Sequence, residues 1–197
     1  MRTRLIAILL MSMVSLAGLA QEIYVPVQTP LTPVQRTRFE KNIGYSTDVI
    51  YAALPTAALV GAIIVQDWEG VKQGIYTAAA AAGASYILKA SVRELRPDRA
   101  DYDSFPSGHS TVAFGAAAFI ERRYGWKLGA PAYALATYTA VGRVLARKHY
   151  WWDVVAGAAI GVGAAYIFTT PWARDHDIMI APGATDTMTG FTASMTF

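Results

Sequence analysis

The chain has 197 residues, 54% of them hydrophobic and 16% charged, with a formal net charge of +3 and no cysteine. That length suits one domain, and the apolar content is higher than an ordinary soluble domain carries. The lack of cysteine excludes a disulfide framework and a thiolate metal site. The basic residues gather at the ends of apolar runs without interleaved aromatics, which argues against a nucleic-acid surface.

In chain order, residues 1–20 read as a signal peptide or a first membrane helix. Arg2 and Arg4 form a basic leader, an apolar run follows from Leu5 to Leu16, and Ala17-Gly18-Leu19-Ala20 resembles a cleavage site. Residues 21–47 are a polar, proline-containing connector with a short amphipathic helix expected around 36–43. Five apolar segments follow, near 49–65, 74–92, 109–120, 128–145 and 154–170. Crossing a bilayer takes about 20 mostly apolar residues, with about 17 at the low end, and four of the five segments meet that length. Runs of Ala and Gly, such as Ala78–Ala82, suit closely packed membrane helices. They also hold the mean hydropathy to +0.29, so a soluble bundle with buried helices stays open as an alternative.

If the connector lies outside, alternating spans place 66–73 and 121–127 in the cytoplasm. Glu121-Arg122-Arg123 and Lys127 then follow the positive-inside tendency. The segments 89–109 and 143–153 both emerge on the outer side. Arg93, Arg96 and Arg99 run against that tendency, and a functional demand would explain it. The tail 173–197 is a C-terminal extension, and from Met188 onward it has a partial strand-like alternation.

Lys89, Arg93 and Arg96 recur at i, i+4 and i+7, so they share one helix face until Pro97 ends the segment. Alone, they read equally as cations snorkelling to an interface. Pro106-Ser107-Gly108-His109 directly precedes an apolar helix, whose free amides and positive dipole end favour an anion. Arg143, His149 and Asp153 form a third element. A break near residues 148–151 would let Asp153 accept from one ring nitrogen of His149 and leave the other nucleophilic. A metal at this His–Asp pair would face three nearby cations, whereas phosphate suits the same charges. His176, in the polar tail, is taken as incidental.

Together, Lys89-x6-Arg96-Pro97, Pro106-Ser107-Gly108-His109 and Arg143-x5-His149-x3-Asp153 resemble the type 2 phosphatidic acid phosphatase superfamily. Its relatives include bacterial class A acid phosphatases and vanadium haloperoxidases. The resemblance covers about residues 75 to 170. It implies an all-α integral-membrane bundle of five to six helices, with a phosphatase domain over 48–172 and its active site at the periplasmic face of a bacterial inner membrane. It implies a metal-independent, cofactor-free lipid phosphatase. His149 would be the nucleophile, Asp153 its orienting partner and His109 the general acid and base. Lys89, Arg96, Ser107, Gly108 and Arg143 would bind phosphate. The expected partners are the bilayer and a phosphorylated lipid: phosphatidate, phosphatidylglycerol phosphate, undecaprenyl diphosphate or lipid A. A soluble periplasmic acid phosphatase, a vanadium-dependent haloperoxidase and a non-catalytic binder of lipid phosphate are the rivals. Gly142 stands where the family usually has Ser, which removes one hydroxyl from the expected phosphate contacts.

Overall fold

The computed structural model describes residues 32–172, 178–185 and 188–195. The leader expected at 1–20, residues 21–31 of the connector and His176 lie outside them. The site-bearing domain is all-helical, with five helices. Helix α1 spans Arg38–Ile64, α2 Trp68–Ser91, α3 Gly108–Tyr124, α4 Trp126–Leu145 and α5 Trp151–Phe168.

Local chemistry sets the ends. Thr37 and Glu40 form a reciprocal capping box, with Glu40 N–H donating to Thr37 Oγ1 and Thr37 N–H donating to Glu40 Oε2. Helix α1 therefore starts at Arg38, and the short amphipathic helix expected near 36–43 is continuous with the first apolar segment. Asp67 caps α2 by accepting from the Gly70 N–H at 2.9 Å. Helices α3 and α4 are joined through Gly125 alone, whose φ of 87° suits glycine.

Small residues form the interior. Gly157 and Gly161 of α5 pack against Ser107, Thr111 and Gly115 of α3; a Cβ at Gly161 would collide with the Thr111 carbonyl oxygen and the Gly115 backbone nitrogen. The two helices run parallel with their N-termini at one end of the bundle. Alanines dominate the rest of the core, among them Ala62, Ala113, Ala117, Ala136 and Ala165. Large apolar side chains face outward instead, including Val49, Ile63, Ile64, Ile75, Ile87, Val141 and Val155. Close backbone approach inside and bulky apolar groups outside is the packing expected where the surrounding solvent is lipid.

Among the described residues, α1 and α5 are long and apolar enough to cross a membrane. Four segments met the length requirement in the sequence; two helices pass once composition is included. Helix α3 has 17 residues and ends in Glu121, Arg122 and Arg123, while α2 carries Glu69, Lys72 and Lys89 on an alanine-rich frame. Beyond the domain, β1 (Ile178–Thr185) and β2 (Met188–Met195) form an antiparallel hairpin, with Ile178 opposite Met195 and Thr185 opposite Met188. The alternation from Met188 marks β2. The first strand was not anticipated, because Pro182-Gly183 reads as a turn.

Candidate active site

The three motif elements meet at the end of the bundle where α3 and α5 begin. Ser107 caps α3, and its backbone N–H donates to the Asp153 carbonyl at 3.0 Å, which ties the start of α3 to the first turn of α5. The amides of Gly108 and His109 take no partner among the described residues. They are the unpaired donors that a helix N-terminus offers an anion.

His149 is 2% exposed, in the short connection between α4 and α5. Its Nδ1 lies 2.8 Å from the Ser104 carbonyl oxygen and 3.6 Å from Asp153 Oδ2. A carbonyl only accepts, so Nδ1 carries the proton and Nε2 keeps its lone pair. The sequence predicts Asp153 as the acceptor; the structure gives that bond to Ser104. The carboxylate acts through the same residue: Asp153 Oδ2 accepts from Ser104 Oγ at 2.5 Å and from the Tyr150 N–H at 2.8 Å. Burial, with the positive charges of Arg96 and Arg143, pushes the His149 imidazole below its ordinary pKa despite Asp153. The ring is therefore neutral at physiological pH.

His109 projects from the first turn of α3. Its Nε2 lies 2.8 Å from Asp48 Oδ1, and its ring packs on Tyr51 with centroids 4.4 Å apart. Arg143, 6% exposed at the end of α4, donates from Nη1 to the same Asp48 oxygen at 2.8 Å, while its Nε is buried without a partner. Asp48, half-exposed on α1, thus takes up donors from two residues that the sequence predicts to act on the substrate. The sequence reading missed it. A carboxylate at the head of an apolar run was the available signal.

Lys89 Nζ donates to the Asp103 carbonyl at 2.6 Å. Arg96 reaches the same oxygen from Nη2 at 3.4 Å, and its Nε stands 2.9 Å from Asp101 Oδ1 without hydrogen-bond alignment. Lys89 and Arg93, with Asp101, Tyr102 and Asp103, line an open cavity of about 480 Å³. Asp98, 3% exposed, holds this loop to the nucleophile's loop: its N–H donates to the Arg147 carbonyl and its carboxylate pairs with Lys148 at 3.1 Å.

Gly142 has a steric reason. A Cβ there would collide with Thr47 Cγ2 on α1. Thr47 is fully buried, with its hydroxyl donating to the Gly44 carbonyl at 2.7 Å and 3.4 Å from Arg143 Nη1. The close α1–α4 approach excludes a serine and puts a hydroxyl from the opposite helix beside Arg143.

Known proteins resemble this chain in sequence and in fold. The chain is 32% identical over 128 residues to a lipid A 4'-phosphatase of Helicobacter pylori, covering 59% of this chain and 65% of that protein. It is 35% identical over 77 residues to a lipid A 1-phosphatase of Porphyromonas gingivalis, covering 38% of this chain and 17% of that protein. The chain thus spans less than two thirds of the length of either relative. The crystal structure of Aquifex aeolicus LpxE has the same fold, with a TM-score of 0.57 at 21% identity, covering 78% of this chain and 92% of that one. Residues 70–176, which hold all three motif elements, match the PAP2 superfamily, and the chain belongs to that family.

Proposed function

We propose that the protein is a metal-independent lipid phosphatase of a bacterial inner membrane, multi-pass, with its site facing the periplasm. The observation that carries this reading is the convergence of a neutral, Nδ1-protonated His149, His109 and three cations at one end of an apolar bundle. The outward-facing large apolar residues and the length of α1 and α5 support the bilayer setting. The relatives' names favour lipid A among the candidate substrates. An apolar cleft of about 180 Å³ between α1, α2 and α3, lined partly by Leu59, Ile75 and Phe119, has the chemistry to take an acyl chain.

In this mechanism His149 Nε2 attacks phosphorus, and the bond to the lipid oxygen breaks as the phosphorus–nitrogen bond forms. Burial, then the charge of Arg143, push the His109 ring down to about 4 in the free site, so it gains its proton only as the bound phosphate dianion offsets those cations. As the imidazolium it gives that proton to the departing alkoxide, then takes one from the water that cleaves the phosphohistidine. Inorganic phosphate leaves and His149 returns to its starting state. Lys89, Arg96, Arg143 and the Gly108 and His109 amides neutralise the charge on the equatorial oxygens. Ser104 and Asp153 hold the ring, and Ser107 holds α3 against α5. The phosphatase unit is assigned to 48–172, after the leader or first helix at 1–20 and the connector at 21–47, with 173–197 as an extension.

The test is phosphate release by detergent-purified protein in EDTA. Its panel holds phosphatidate, phosphatidylglycerol phosphate, undecaprenyl diphosphate, lipid A and one water-soluble phosphomonoester. Release from a lipid that vanishes in His149→Ala is expected. Release from the soluble ester alone would favour the acid-phosphatase rival, and no release from any lipid overturns the reading.

A further inference from the structure

Behind His149 lies a second carboxyl group that the mechanism above does not use. Asp153 is fully buried, and its two oxygens are unequal. Oδ2 takes the Ser104 and Tyr150 donors, whereas Oδ1 has no N–H or O–H donor among the described residues. Glu94, in the loop after α2, shows the same asymmetry. Its Oε1 accepts from Trp152 Nε1 at 2.9 Å, while Oε2 is buried and has no donor. The loop fixes Glu94 in place, because its carbonyl accepts from the Ser104 N–H at 3.0 Å. The Glu94 and Asp153 side chains lie within hydrogen-bonding reach of each other. Two neighbouring carboxylates repel, and each buried, donorless oxygen carries its own desolvation cost. One proton between them removes both penalties.

Resting on the phosphatase reading for its catalytic consequence, we propose that Glu94 is the proton-bearing member of a carboxyl–carboxylate pair with Asp153, and so a positioning residue for His149. The Glu94 O–H donates to Asp153 Oδ1, leaving Oδ2 aimed at Ser104 and the imidazole. A single negative charge then sits behind the nucleophile.

The electrostatics agree. Burial first, then the hydrogen bond and charge of Asp153, push the Glu94 carboxyl up to about 7. Tyr150 also senses Glu94, and Arg99 acts on that tyrosine. Lys89 and His149 face Asp153, and Trp152 is the partner that favours the Glu94 anion. The sign follows from these groups: the pair holds its proton below neutrality and loses it above. Ionised Glu94 then sets a second anion against Asp153.

The experiment uses the full chain in detergent, with whichever lipid of the panel it hydrolyses. Glu94→Gln keeps an N–H for Asp153 and an oxygen for Trp152 but does not titrate. Its kcat at about pH 6 should stay within about threefold of the parent, with the alkaline fall shifted upward. Glu94→Leu has no donor, and its kcat should drop about tenfold with KM little changed. A Gln variant as impaired as the Leu variant, or one keeping the parent's alkaline limb, overturns the proposal. Infrared difference spectra of the resting protein supply a readout independent of turnover. A protonated-carboxyl band that disappears as pH rises through neutrality, and is absent in Glu94→Gln, is expected. Its absence from the parent overturns the pair whatever the activity. The band without hydrolysis of any lipid would overturn the phosphatase reading and keep the pair.

Discussion

The two ends of the helical bundle each bury charge, and they do so in opposite ways. At the end away from the site, Arg123 grips the Asp67 carboxylate through two nitrogens, at 2.7 and 2.5 Å, and its third reaches the Thr170 carbonyl at 3.0 Å. Tyr124 OH and the Gly70 N–H complete the Asp67 shell, and Gln73 exchanges hydrogen bonds with Thr170. Burial alone would raise Asp67, but these donors outweigh it and hold the carboxyl below its usual value. The cluster is closed, with each charge consumed by a partner. At the other end Lys89 and Arg96 lean on one backbone carbonyl, Arg143 on the half-exposed Asp48, and Arg143 Nε and two helix-start amides are left unpaired. A saturated cluster clamps helices together; an unsaturated cationic one has the electrostatics that suit an anion.

The sharpest way to break this comparison is at the nucleophile. His149→Ala should lower kcat by about 1,000-fold or more while leaving the thermal midpoint of the protein unchanged or higher. A folded variant with full activity would sink the histidine mechanism. At the closed end the pattern reverses. Arg123→Leu strands a buried carboxylate and should cost about 3–5 kcal/mol in stability, with activity per folded molecule retained. Thermal inactivation curves measured beside initial rates separate the two effects, and an intact midpoint with lost activity would contradict the clamp.

Gly142→Ser restores the family's usual residue at the cost of a collision with Thr47. About 1–3 kcal/mol of stability should be lost through overpacking, with no gain in phosphate affinity. A stable variant with a lower KM would show that α1 yields there. The smallest expected effect is at Asp48. Asp48→Asn removes the anion that competes with substrate for Arg143 and His109, so KM should fall by about threefold, and more weakly at high salt. A large loss of kcat would instead make Asp48 a partner that orients His109.

The candidate site residues stood out in the sequence because motif order and spacing are local properties. Ser107 starts α3, and the turn at Arg147, with φ at 57°, separates Arg143 from His149. Pro97 does not set the end of α2: that helix stops at Ser91, five residues before Arg96, so Arg93 and Arg96 lie in the following loop and do not share a helix face with Lys89 as the spacing predicts. Where a motif residue's partner is distant in sequence, local pattern was silent. Ser104 precedes His149 by 45 residues, and Asp48 precedes Arg143 by 95. Asp48 sits beside an apolar run and reads as an interfacial charge until α1 is packed against α4.

By itself, then, the sequence determined where the five apolar helices of the domain lie and which side chains form the candidate site, since these follow from apolar run length and motif spacing along one chain. Only the tertiary structure decided which oxygen receives the His149 proton, why residue 142 has no side chain and which carboxyl backs Asp153. Those outcomes depend on which helices approach closely, and the glycines of α3 and α5 permit that approach only once the bundle has assembled.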